Sequence, residues 1–217
     1  MVCNHPDPEL LLEYSTGSLQ LAPSVAVKTH LHYCDACAAA SNSLEDIGGH
    51  LLDCTQYEEV SESLLDELLC ALDEPESQPQ HQGVVCEDAI TDQLPPYVRG
   101  LLPESLDWRK LSPSLRVAPI SVGEKQFELA LHKIAAGGKV PVHDHKGQEI
   151  TVVLKGSFSD EDGVYQPGDF LVREPGESHR PIAAQNDDCI CLSVLEAPIK
   201  LKGLKRILNP FLNFSPS

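Results

Sequence analysis

The apolar positions along the chain fall into two patterns. Between residues 7 and 21, Leu10, Leu11, Tyr14 and Leu19 recur near helical spacing, with Asp7 and Glu9 at the front, where helix polarity favours acids. Pro23 suits the first turn of a second helix, predicted to run through Val25, His30, Cys34 and Cys37 into the alanine run 38–40. Gly48-Gly49 is its expected break. A third helical pattern covers about 57–72, where Val60, Leu64, Leu65, Leu68 and Leu69 form an apolar stripe among acids. Such a helix is either a solvated amphipathic surface element or one that docks on a partner.

Residues 73–83 are rich in proline, glutamine and acids and read as a linker, which reaches to about 104. From about 105 the period changes. Phe127–Ile134, Glu149–Leu154 and Cys189–Leu195 mix β-branched and apolar residues with alternation. Gly137-Gly138, Gly156, Gly163, Pro167-Gly168 and Pro175-Gly176 lie between or beside them. Many short strands with glycine turns indicate an all-β sandwich or barrel. A basic amphipathic stretch, Lys200 to Arg206, is stopped by Pro210. The expected organisation is a helical domain over 1–85, a β domain over 105–197 and a basic tail over 198–217. At 217 residues, each domain has a modest core.

Charge sharpens this division. Residues 1–90 carry 17 acidic side chains against the single Lys28, a net of −16, whereas residues 91–217 are nearly balanced. A field this negative repels nucleic acid and steers basic protein surfaces toward the N-terminal half. One lysine in that half excludes the phosphate contacts of a DNA-binding module. The first residues have neither the basic start nor the apolar run of a signal peptide, and no stretch is long and apolar enough for a membrane helix. The expectation is a cytoplasmic chain, in which eight cysteines point to metal ligation or reactive thiols rather than a disulfide framework.

His30, Cys34 and Cys37 stand at i, i+4 and i+7, so on one helix their donors converge. Two thiolates and an imidazole leave one position of a tetrahedral zinc for a fourth ligand. His5 is the first choice, brought back by the first helix, and Cys3 the alternative; His32 points elsewhere. The other reading is a Cys-x-x-Cys redox or packing pair, although thiols in mid-helix lack a strongly lowered pKa. The His-x3-Cys-x2-Cys element, preceded by His5-Pro6-Asp7, resembles the zinc-binding anti-sigma domain. That resemblance implies zinc on His5, His30, Cys34 and Cys37, and a sigma-contacting role for the helix of Val60, Leu64, Leu65, Leu68 and Leu69.

In the second half, His143, His145 and Glu149 share strand parity, and His179 follows a turn at Pro175-Gly176. Three imidazoles and a carboxylate suit zinc, iron, manganese or nickel, and ligand type does not choose among them; zinc is the first expectation. These residues resemble the two cupin motifs, which implies a double-stranded β-helix, or jelly-roll, barrel. The first motif is full, from Gly137 through His143-Asp144-His145 and Glu149 to Gly156. The second is partial: Gly168 and His179 keep their separation, but Glu174 replaces the usual proline and Ala183 the usual asparagine. Cys189 and Cys191 share one face of a late strand, either as core thiols or as thiols near the site and open to oxidation.

The order of a helical zinc motif, a linker and a metal-binding cupin resembles the ChrR family of anti-sigma factors. The resemblance implies a regulator rather than an enzyme. It would sequester an extracytoplasmic-function sigma factor 1:1 and release it when the cupin half senses singlet oxygen or a related oxidant. The alternative is a cupin dioxygenase or isomerase that uses a helical zinc module for assembly.

Overall fold

Asp7 begins the first helix by accepting a hydrogen bond from Leu10 N at 2.8 Å through its side chain. The computed structural model describes residues 4–57, 61–73 and 90–201. Five helices come first: α1 (Pro8–Ser15), α2 (Leu21–Tyr33), α3 (Asp35–Asp53), α4 (Glu62–Asp73) and the short α5 (Pro96–Gly100). Among the described residues, no helix is long and apolar enough to cross a membrane.

Two expectations about the helices are corrected. The second helix does not run on through Cys34. Its residue 34 is extended, with φ −123° and ψ 97°, so α2 stops at Tyr33 and α3 starts at Asp35. Cys34 is therefore a joint, and Cys37 sits in the first turn of α3, where backbone polarity favours negative charge. The expected break at Gly48-Gly49 does not occur, because α3 continues through both glycines to Asp53. A glycine costs an exposed helix only about 1 kcal/mol, too little to end one with caps elsewhere.

The β half comprises β1 (Arg109–Lys110), β2 (Leu115–Ile120), β3 (Glu128–Ile134), β4 (His143–His145), β5 (Glu149–Lys155), β6 (Phe158–Ser159), β7 (Val164–Tyr165), β8 (Phe170–Arg173), β9 (Ser178–His179), β10 (Ile182–Ala183), β11 (Cys189–Leu195) and β12 (Ile199–Leu201). They form a six-stranded sheet, β1-β2-β3-β11-β5-β8, and two three-stranded sheets, β10-β6-β7 and β12-β4-β9. This is the cupin jelly roll, built from separate sheets rather than one continuous hydrogen-bonded ring.

The large sheet is buried on both faces. Its inner face places Leu115, Val117, Ala130, Val153, Cys189 and Cys191 against Phe158, Tyr165 and Ala183 of the β10-β6-β7 sheet. Its outer face places Ile120, Leu129, Leu131, Ile150, Val152, Leu192 and Val194 in one cluster with Ala22, Val25, Ala26 and Val27 of α2. β11 is consequently buried at all seven positions. The two halves keep their expected classes but share a core, with α2 as the cover of the sheet. Lys28, the only lysine or arginine of the first 90 residues, lies 4.0 Å over the ring of Tyr97 in α5.

Other expected positions can be placed briefly. Trp108 packs, half-buried, against the shared core. Val60, Cys3, the linker stretch 74–89 and the tail beyond Leu201 lie outside the described residues.

Candidate metal centres

His5, His30, Cys34 and Cys37 come together at the junction of α2 and α3, with their ligand atoms all within 4.8 Å of one another. His5 is carried by the extended lead into α1. Its Nδ1 lies 3.4 Å from Cys34 Sγ and 3.3 Å from Cys37 Sγ. Donors around a tetrahedral ion with Zn–S near 2.3 Å and Zn–N near 2.0 Å are about 3.5 Å apart, so this spacing suits one ion. His30 is fully buried, and its Nδ1 donates to the Gly168 carbonyl at 2.6 Å. A carbonyl can only accept, so the proton sits on Nδ1 and the Nε2 lone pair is left for a ligand. That Nε2 is buried with no hydrogen-bond partner. Burial holds the His30 imidazole below its ordinary pKa, in the neutral form a metal requires.

The joint at Cys34 explains how the four meet. On one straight helix, residues 30, 34 and 37 would be spread over about two turns; the break between α2 and α3 lets Cys34 and Cys37 turn toward His5. His32, set aside in the sequence, points away and stacks edge-on against Tyr33.

His143, His145, Glu149 and His179 form the second group, all four buried. His143 and His179 are cross-strand partners on β4 and β9, with their Nε2 atoms 3.0 Å apart. His145 Nε2 lies 3.3 Å from His179 Nε2 and 3.2 Å from Glu149 Oε2. The outer nitrogens fix the tautomers: His143 Nδ1 donates to Pro141 O at 2.9 Å, and His179 Nδ1 to Asp160 Oδ2 at 3.3 Å. In their neutral forms two lone pairs then face each other at 3.0 Å, an arrangement that a cation between them makes favourable. Glu149 Oε1 accepts from Ser193 Oγ at 3.0 Å, while Oε2 is buried without a hydrogen-bond partner. Both groups fit a metal ion by the chemistry of their donors.

Electrostatics agree with this. Burial pushes His143 down to about 4, and His145 is lowered for the same reason. Burial alone would raise the Glu149 carboxyl, but the imidazoles of His145, His179 and His143 outweigh it and hold the group below its usual range. Behind His179, Asp160, whose side chain is buried, accepts from Tyr165 OH at 3.0 Å and pairs with Arg173 at 2.7 Å. Burial opposes its ionisation, yet the hydrogen bonds from His179, Asp162 N and Tyr165 and the Arg173 charge keep Asp160 ionised well below the ordinary carboxylate pKa.

A cavity of about 100 Å³ adjoins the second group, lined by His143, Glu149 and His179 together with His132, Cys191, Phe158 and several aliphatic side chains. Cys189 and Cys191 both face inward, with Sγ atoms 3.7 Å apart, and Cys191 lines the cavity. Its hydrogen bond with Cys189, and then burial, push the Cys191 thiol well above its usual pKa. Leu64, Leu65, Leu68 and Leu69 of α4 are exposed, as are Leu72 of the same helix and Ile47, Leu51 and Leu52 of α3. Sequence reasoning missed Asp160 and Ser193, which hold His179 and Glu149 from behind, and Arg173, which pairs with Asp160. Ser193 shares the parity of Cys189 and Cys191 on β11, which was legible, whereas Asp160 sits in a loop with no periodic signal.

Comparison with known proteins decides the family. Residues 100–197 match the ChrR cupin-like domain. The anti-sigma-E factor ChrR of Cereibacter sphaeroides is 33% identical over 209 residues, covering 96% of this chain and 97% of that protein. This chain belongs to the ChrR family of anti-sigma factors. A chain in the crystal structure of Rhodobacter sphaeroides SigE in complex with the anti-sigma ChrR is also similar. It has 32% identity and a TM-score of 0.71, and the match covers 90% of this chain and all of that one. The ChrR match thus covers nearly the whole chain, helical half included, rather than the cupin half alone.

Proposed function

We propose that this protein is an anti-sigma factor. Its helical half, residues 1–85, holds an extracytoplasmic-function sigma factor 1:1 with zinc on His5, His30, Cys34 and Cys37. The observation that carries the reading is α4. It presents Leu64, Leu65, Leu68, Leu69 and Leu72 at 44–80% exposure among acidic residues, a surface costly to leave in water without a partner. The relative crystallised with SigE supports the identity of that partner. A bound zinc would supply the cross-link that a small helical module lacks, so that folding and metal binding are coupled. The function is occlusion, and no turnover is required. Coexpression with the host's sigma factor tests this. Wild type should copurify 1:1, and L65D/L68D should abolish capture while both metals stay bound; capture that survives the double substitution would sink the α4 reading.

Residues 105–197 would act as the sensor, with a divalent metal, zinc foremost, on His143, His145, Glu149 and His179. Cys189 and Cys191 are the proposed oxidisable pair. Singlet oxygen would take two electrons and two protons from the two thiols, leaving one disulfide and one hydrogen peroxide. In an extended strand, residues i and i+2 are about 6.8 Å apart, at the upper limit for a disulfide. Closing the bond would therefore contract β11, which carries Ser193 and its hydrogen bond to Glu149. The cavity beside the metal donors is the observation that favours the second reading, a cupin dioxygenase or isomerase. Consumption of a small substrate by the metal-loaded protein, with no sigma factor captured, would establish that reading instead.

A further inference from the structure

The N-terminal donor group is held from outside its own helices. His30, on α2, reaches the turn that precedes β8, where its Nδ1 donates to Gly168 O at 2.6 Å across 138 residues of sequence. Asn4, next to the ligand His5, is fastened to the same turn twice: its N–H donates to Asp169 Oδ1 at 2.9 Å, and its carbonyl accepts from Phe170 N at 2.9 Å. Asp169 is buried, and its other oxygen accepts from Gln166 N at 2.7 Å, which closes the turn. The Phe170 ring meets the His30 ring edge-on at 5.7 Å. Gly168 has φ +95°, and a Cβ there would come within 2.7 Å of Tyr33 Cβ. The turn is thus glycine for two reasons, backbone conformation and contact with α2.

From this geometry we infer that Gly168 and Asp169 of the cupin half are positioning residues for the N-terminal metal group: the Gly168 carbonyl fixes the tautomer and ring of His30, and Asp169 fixes the chain bearing His5. Two of the four ligands are oriented by a turn that the other half of the molecule supplies. The inference rests on the proposal that the N-terminal group holds zinc. Partners that orient metal-bound histidines typically change metal affinity about 10–100-fold when removed, and the effect here belongs to the N-terminal site alone.

The test is zinc transfer from the full-length protein to a chromophoric chelator. C34A/C37A identifies the N-terminal phase by its absence. D169A should release that phase at least about tenfold faster, with the barrel phase unchanged, and D169N, which retains an acceptor oxygen for Asn4 N–H, should restore much of the wild-type rate. G168A provides an independent disturbance of the same turn and should act in the same direction. With cobalt in place of zinc, D169A should also alter the thiolate-to-metal absorption, which a loss of general stability would not do while the barrel phase holds. Unchanged N-terminal release in both D169A and G168A overturns the inference while leaving the zinc assignment intact. A wild-type protein that binds no metal through Cys34 and Cys37 overturns both.

Discussion

His143 and Glu149 set opposite demands on their surroundings. An imidazole buried without a cation must stay neutral, whereas the carboxylate beside it must stay charged. Burial meets the first demand at His143, and the surrounding imidazoles meet the second; Asp160 and Ser193 fix the geometry from behind, one by accepting from His179 Nδ1 and the other by donating to Glu149 Oε1. The consequence for metal-stripped protein is a pH-dependent stability. His143 takes up a proton near 6.5 when unfolded but only near 4 when folded. Between those values the unfolded chain binds more protons, so stability falls as pH falls. From about pH 7.5 to about pH 5, His143 alone accounts for a loss of about 2 kcal/mol, and His145 and His30 shift in the same direction. Urea unfolding of chelator-treated protein at the two pH values measures it. A flat profile would mean that these imidazoles are not buried as described.

At the scale of elements, α2 is the piece on which both halves depend. One side of it carries Ala22, Val25, Ala26 and Val27 at zero exposure in the cluster shared with the sheet, and its end carries His30. The two alanines let the helix lie close, and there is no space for a larger side chain. A26L should overpack the seam and cost about 1–3 kcal/mol, read as a lower midpoint in thermal unfolding with both metals retained at room temperature. An unshifted midpoint would mean that α2 is not packed on the sheet in solution. The periodic pattern announced these elements unevenly. The β11 strand was legible to the residue, because Cys189–Leu195 is uninterrupted and its neighbours are turn formers. The joint at Cys34 was not, since nothing in Tyr33-Cys34-Asp35 is a helix breaker; the backbone turns there through contacts with residues far away in sequence. Gly48-Gly49 misled in the opposite direction, because helix-weakening residues lower propensity without ending a helix.

At the scale of the molecule, the donor groups and the cupin class were readable because ligand spacing is local, as in His143-x-His145-x3-Glu149. The shared core was not, because Ile190, Leu192 and Val194 say only that the second face of β11 is buried, not that a helix from the far end of the chain buries it. The acidic excess of the first 90 residues, 17 acids against the single, exposed Lys28, is likewise a property of the whole half and leaves an acidic surface for the partner. If that surface guides the proposed sigma factor, association should slow by about tenfold or more as ionic strength rises from about 0.01 to about 0.15 M, with dissociation much less affected. Stopped-flow mixing at several salt concentrations would measure both rates, and salt-independent association would assign the acidic residues to solubility alone.

The burial of α2 beneath β11 and β5 also bears on how the protein is made. A ribosome delivers α2 well before β11, so the apolar side of the helix waits uncovered while more than 150 further residues are synthesised. The nascent chain spends that interval with a sticky helix inside its most negative stretch. The mutual repulsion of sixteen excess charges keeps neighbouring chains on a polysome apart until the sheet arrives to close over it.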